Sequence, residues 1–162
     1  MRPMTCTIRI YSVRDSSHVR SKGGFTLVEL TIAVAVVGIL ALVAYPTFIQ
    51  QMQKSRRSDA IAALTDLAYR LERYYSEKNT FATATIASGS ATDVLGSPNS
   101  PSGFYTLSIV SSQTSDTTYL IQATRKAGGP QASDATCGDF TLTNATVRGI
   151  SGSGSINDCW LK

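Results

Sequence analysis

Hydrophobic and polar positions divide this chain into stretches of different character. Residues 1–24 show no helical or strand period. From Phe25 to Tyr45 the chain is rich in Leu, Val, Ile and Ala, with Glu29 as the only charge and Gly38 as the only glycine. At about 1.5 Å per residue such a run covers roughly 30 Å as a helix, the thickness of a bilayer core. It is apolar on every side, so its surface calls for lipid or other subunits. Pro46 lacks a backbone donor and predicts a kink or a weakening there; Gly38 weakens the helix further upstream.

Beyond Pro46 the pattern becomes amphipathic. Ile61, Leu64, Leu67, Leu71 and Tyr74 recur at spacings of three and four, with Ala60, Ala63 and Ala68 beside them. The opposite face carries Arg56, Arg57, Asp59, Asp66, Arg70, Glu72 and Arg73, and Asp66 and Arg70 form an i, i+4 pair. Helix is expected to about Glu77 or Asn79, roughly 54 residues and about 80 Å in all. Residues 80–103, rich in Ser, Thr, Ala, Gly and Pro, read as a loop. Alternation then predicts strands. Phe104–Val110 puts Tyr105, Leu107 and Ile109 on one face, and Thr118–Thr124 does the same with Tyr119, Ile121 and Ala123. Phe140 and Leu142 mark a third strand, and Val147 to Ile150 a fourth. A meander with one apolar face packs on the amphipathic helix, giving an α+β fold with a small antiparallel sheet.

Charge sharpens the division. The net charge of +4 sits in residues 1–24, where Arg2, Arg9, Arg14, Arg20 and Lys22 face only Asp15. The rest of the chain is neutral, so its basic pI says nothing about nucleic acid. The leader does fit the positive-inside rule, with residues 1–24 cytoplasmic and the C-terminal part exported. His18, the only histidine, and Cys6 also lie in the leader. Cys137 and Cys159 remain. An even pair in a small exported domain reads as one disulfide, worth roughly 3 kcal/mol, against the alternative of two free thiols.

Without the leader the chain has no histidine, and its cysteines are accounted for by that pair. This removes the usual metal ligands and most nucleophile–base pairs. Asp93, Asp116, Asp134, Asp139 and Asp158 are scattered and read as solvated turn carboxylates, ahead of an acid/base or calcium pair at Asp139 and Asp158. No enzymatic role, metal or cofactor is expected. Lys54, Arg56 and Arg57, with Arg125 and Lys126, read as a solvated face ahead of a contact for DNA or anionic lipid. Asn144-Ala145-Thr146 fits the N-glycosylation triplet and is given no role.

Glu29 is the informative residue, because a carboxylate inside an apolar span needs a reason. It either snorkels to the membrane edge or finds a positive partner. Cleavage after Gly24 would create one, the α-amine of Phe25, and pairing with the amine of a neighbouring chain would satisfy both charges.

Gly23-Gly24-Phe25-Thr26-Leu27-Val28-Glu29-Leu30 closely resembles the class III signal of type IV prepilins. The resemblance continues in Arg56–Ala60, Leu71–Tyr75, Cys137–Leu142 and Asp158–Trp160, which look like the minor pilin PilE group. It implies the type IV pilin fold, with a leader at 1–24, an apolar transmembrane or filament-core segment at 25–53, and a globular head at 54–162. It implies cleavage between Gly24 and Phe25 by a prepilin peptidase, N-methylation of Phe25, recruitment through Glu29 and helix weakening at Gly38 and Pro46. The cysteines would bound the C-terminal loop. The leader is longer than the family's, which places the translation start at Met4 or a later codon as readily as at Met1.

The function so implied is that of a structural, minor subunit of a type IV pilus, serving biogenesis, adhesion and twitching motility. Its partners would be other pilin subunits, the prepilin peptidase, the inner-membrane assembly machinery and, before assembly, membrane lipid. Nucleic acid is the more weakly supported partner. The expected location is the inner membrane first and the extracellular filament afterwards. The alternatives are a type II secretion pseudopilin, a DNA- or surface-binding tip module, and an ordinary signal-anchored membrane protein.

Overall fold

The computed structural model describes residues 24–160. Residues 1–23, part of the expected leader and including Cys6 and His18, lie outside the described residues. The chain divides into two compact units, the first ending at Leu40 and the second starting at Ala41.

In the first unit, Thr26 starts helix α1 (Leu27–Lys78). Its Oγ1 accepts the Glu29 N–H at 3.1 Å, and its carbonyl accepts the Leu30 N–H at 3.1 Å. Thr26-Leu27-Val28-Glu29 is thus the N-cap and first turn of the helix, with Thr and Glu at capping-box spacing. The acid in this turn faces the positive end of the helix dipole. The side chains that follow are exposed on all sides, from Phe25 at 82% to Val34, Val37 and Leu40.

In the second unit, α1 continues as helix past Pro46 to Lys78. Pro46 has no N–H for its i−4 carbonyl, and Thr47 Oγ1 donates to the Val43 carbonyl nearby at 3.3 Å. Leu42, Val43, Tyr45, Phe48 and Ile49 are exposed, and burial starts at Asp59 and Ala60. Ala63, Leu64, Leu67, Leu71 and Tyr74 then form the packed stripe. The helix stops at Asn79, whose φ of 57° is the left-handed conformation of a C-terminal cap and whose N–H reaches the Tyr75 carbonyl.

Four strands form one antiparallel meander in chain order: β3 (Tyr105–Ile109), β4 (Leu120–Arg125), β5 (Phe140–Thr143) and β6 (Arg148–Ile150). Leu107 pairs with Ala123, and Ala123 with Phe140. Register therefore puts Tyr105, Leu107, Ile121, Ala123, Phe140 and Leu142 on one buried face. These join the α1 stripe in one core that also takes Phe81, Tyr119, Cys137, Cys159 and Trp160. Trp160 packs edge-on to Phe140, and Phe140 edge-on to Tyr105.

Two expectations are corrected, and one helix appears that the sequence did not announce. Residues 80–103 are not all loop: β1 (Thr85–Ile86) and β2 (Asp93–Leu95) pair in parallel, and Asn99 bridges to Thr106. Backbone bonds from Thr85 to Thr92 and from Ala87 to Leu95, with the Thr85 and Ser88 hydroxyls on Asp93, hold that pair. A second helix, α2 (Ile156–Trp160), follows the Gly/Ser run and brings Cys159 and Trp160 into the core. Asp59 is buried rather than on the solvent face, because its carboxylate accepts Ser100 Oγ at 2.5 Å and the Ser102 N–H at 2.9 Å.

Candidate assembly site and the polar clamp of the head

Gly24, Phe25, Glu29 and Gly38 all lie in the first unit and are exposed. A Cβ added at Gly38 meets no atom within 4 Å, so no contact within the chain requires glycine there. Thr26 is the residue that sequence reasoning missed. Its signal was present in the Thr-x-x-Glu spacing, which the membrane reading of Glu29 obscured. The carboxylate therefore has a local setting, at the third position of a capped helix, and its acid group remains open. The apolar run averages a hydropathy of 2.7 over its best 18-residue window, with none of that window buried by the rest of the chain. Chemically this is a surface for hydrocarbon or for other apolar helices, with one carboxylate at its beginning.

The second unit holds Pro46, Cys137 and Cys159. Cys137 and Cys159 are joined in a disulfide, with Cα atoms 5.7 Å apart. Gly138 follows Cys137 at φ +68°, and a Cβ there would lie 2.8 Å from the Gly152 nitrogen. Backbone bonds from Gly152 to Cys137 and from Gly154 to Thr136 close the Gly/Ser run against the first cysteine.

Beside the disulfide lies a polar clamp. Arg57 donates Nε to Asp134 Oδ2 at 2.7 Å and Nη2 to Oδ1 at 2.8 Å. The same carboxylate accepts Gln131 Nε2 at 2.8 Å and the Cys137 N–H at 3.2 Å. Asp134 is 1% exposed. Burial works against its charge, but the bonds from Arg57 and Cys137 outweigh that and hold its carboxyl below the usual range. Arg125 Nε meets Asp139 Oδ1 at 3.0 Å, while its Nη1 reaches the Asp134 carbonyl at 2.7 Å. Arg56 donates to the Pro130 carbonyl at 3.0 Å and lies over the Phe104 ring.

These contacts correct two expectations. Asp134 is not a solvated turn carboxylate, and Arg57 and Arg125 do not belong to a freely solvated basic face. Spacing along the chain carried no sign of it, since Arg57 and Asp134 are 77 residues apart. Asp139 is half-buried in its own ion pair with Arg125. Asp93 is bound by Thr85, Ser88 and the Gly89 and Ser90 N–H groups. The bonds from Thr85, then Ser88 and Gly89, hold its carboxyl well below the usual range. Among the described residues no group of three or more acidic, His or Cys side chains is placed to hold a metal.

A capped apolar N-terminal helix, followed in the second unit by a helix stripe packed on an antiparallel meander with a disulfide-closed C-terminal loop, defines the α+β class of pilin-like proteins. Two family models match: the prokaryotic N-terminal methylation motif over residues 19–45, and the type IV minor pilin ComP, DNA uptake sequence receptor, over residues 46–141. The chain belongs to this type IV minor pilin family. It is 34% identical over 106 residues to fimbrial protein EcpC of Eikenella corrodens, across 65% of this chain and 64% of that protein. It is 43% identical over 58 residues to the type IV major pilin protein PilA of Myxococcus xanthus, across 36% of this chain and 26% of that protein. The chain thus spans less than two thirds of the length of either relative. The crystal structure of the non-core minor pilin PilV of Neisseria meningitidis overlays at a TM-score of 0.47 with 21% identity, covering 65% of this chain and 92% of that one.

Proposed function

We propose that this chain is a prepilin whose mature form is a minor subunit of a type IV pilus, with no enzymatic role of its own. Prepilin peptidase removes residues 1–24 by cutting after Gly24, and Phe25 is N-methylated. Residues 25–53 hold the protein in the inner membrane and later enter the filament core; residues 54–162 form the head. Glu29 pairs with the Phe25 amine of an adjacent subunit, and Gly38 and Pro46 are the points where the helix yields during packing. Other pilins and the inner-membrane assembly machinery are its partners, and adhesion and twitching motility are the activities it serves.

One observation carries this reading: the first part of α1, within the methylation motif, is apolar and exposed and bears a single acid in its first turn. The test has two parts. N-terminal sequencing should find methylated phenylalanine, and an intact leader would sink the proposal. Glu29→Ala should leave the protein processed and membrane-bound but depleted from sheared fibres; normal incorporation would remove the pairing role.

The matched family's description as a DNA uptake sequence receptor raises DNA as a second ligand. Arg57 and Arg125, two cations of the proposed basic face, are already bound to Asp134 and Asp139, which weighs against it. Salt-sensitive binding of duplex DNA by the full chain would restore that reading.

A further inference from the structure

The head's unpaired positive charge is concentrated where the apolar run ends. Lys54 is the first charged side chain after Glu29, and it is exposed. Among the described residues the ion pairs are Arg57–Asp134, Arg70–Asp66, Arg73–Glu77 and Arg125–Asp139. Lys54, Arg56 and Lys126 lie outside them. Of the other cations without an ion pair, Lys78 lines a cleft with Glu77 and Asp93, and Arg148 lies over the Trp160 ring. The carboxylate nearest in sequence, Asp59, is buried and turned to Ser100 and Ser102.

The loop of residues 126–134 is fastened to this level of α1 by five hydrogen bonds. Gln53 Nε2 donates to Ser133 Oγ at 3.4 Å, and Gln131 Nε2 to the Gln53 carbonyl at 3.3 Å. Arg56 reaches the Pro130 carbonyl, and Arg57 holds Asp134. Lys126, Ala127, Gly128, Pro130, Ala132 and Ser133 stay exposed, and none of them is acidic. The exposed apolar side chains of Phe48 and Ile49 lead directly into this level through Gln50, Gln51 and Gln53.

We infer that the 126–134 loop and the Lys54–Arg56 segment form a seat for anionic phospholipid headgroups, against which the head rests while the apolar helix is in the bilayer. This rests on the membrane stage of the proposed function. The surface follows the exposed Phe48 and Ile49, is small and neutral at its centre, and bears Lys54 and Lys126 as exposed cations for lipid phosphates, Arg56 being held by the Pro130 carbonyl and the Phe104 ring. Asp134 contributes no repulsion, because Arg57 neutralises it within the clamp. Two lysines near an anionic bilayer surface each strengthen the contact, and the effect falls with salt.

The test is amide hydrogen exchange of the full chain in nanodiscs of phosphatidylcholine alone or with added phosphatidylglycerol. Exchange across residues 126–133 should slow roughly tenfold when the anionic lipid is present. That slowing should vanish in the Lys54→Gln/Lys126→Gln double variant and in high salt, while the amides of β4 and β5 stay protected and show the variant folded. Equal exchange in both discs, with Leu27–Ile49 protected in both, would overturn the seat and leave the membrane reading standing. Loss of protection over Leu27–Ile49 would instead overturn the membrane reading and the seat with it. Protection of the loop by duplex DNA in phosphatidylcholine discs, without a phosphatidylglycerol effect, would also overturn the lipid assignment.

Discussion

Arg57 grips Asp134 with both prongs of its guanidinium, Nε on Oδ2 at 2.7 Å and Nη2 on Oδ1 at 2.8 Å, joining α1 to the segment that enters the disulfide. Both side chains are largely out of water. Removing one partner strands the other, so Asp134→Asn should cost about 3–5 kcal/mol of folding stability. Urea unfolding of the detergent-solubilised chain, followed by the fluorescence of Trp160, would measure it. A loss below about 1 kcal/mol would show that the pair is replaceable by water.

The same pair sets an acid limit. Asp134 titrates below its ordinary value in the folded protein, so its ionised form stabilises the fold. That contribution is complete above about pH 5 and is lost as pH falls through the lowered folded value. Asp134→Asn should flatten the stability profile on the acid side. An unchanged profile would assign the acid limit to another carboxylate.

At the alkaline end the relevant group is Tyr105, which is fully buried. Burial, the leading cause, pushes its phenol up from 10.0 to about 12. The fold keeps this contribution below its unfolded value and loses it as pH rises through the folded one. Tyr105→Phe should therefore resist unfolding above about pH 10 better than the parent, relative to their stabilities at neutral pH. Identical alkaline midpoints would refute this.

Reduction of Cys137–Cys159 should free α2. Trp160 is the only tryptophan, is 6% exposed, and donates Nε1 to the Gly149 carbonyl. Reduction should lower stability by roughly 3 kcal/mol and shift the tryptophan emission to the red. Emission unchanged on full reduction would mean that packing alone holds the last helix.

Thr26 provides a control for Glu29. Thr26→Val removes the cap oxygen at nearly constant shape and should destabilise the first turn by about 1 kcal/mol, whereas Thr26→Ser should keep it. Amide exchange at Val28–Leu30 reads this directly. If Thr26→Val lowers incorporation into fibres as much as Glu29→Ala does, part of the Glu29 effect belongs to the helix start.

The parts of the fold with a period were legible in the sequence. Ala60, Ala63, Leu64, Leu67, Leu71 and Tyr74 of the predicted stripe are buried, as are Tyr105, Leu107, Phe140 and Leu142, while Ile61, Ala68 and Ile109 are only partly so. Helix was expected to end at Glu77 or Asn79 and ends at Lys78. What escaped was whatever depends on polar contacts between distant segments. Neither Asp134 nor Asp59 carries a local mark of burial, because each becomes tolerable inside only through partners supplied by the folded chain. The short β1–β2 pair escaped for a related reason, its hydroxyl-rich composition being that of a loop. The methylation motif was legible because its meaning is local, and even there the capping role of Thr26 was hidden behind the acid.

Asp93 fastens its own neighbourhood. Its carboxylate is bonded wholly by residues 85–90, while Ile86, Val94 and Leu95 lean on the core. The tip between them is therefore a self-contained cassette, hinged on core-packed residues at both ends. Changes at its exposed Ser90 and Ala91 should be felt within the tip and not in the four-stranded sheet or the disulfide-closed loop.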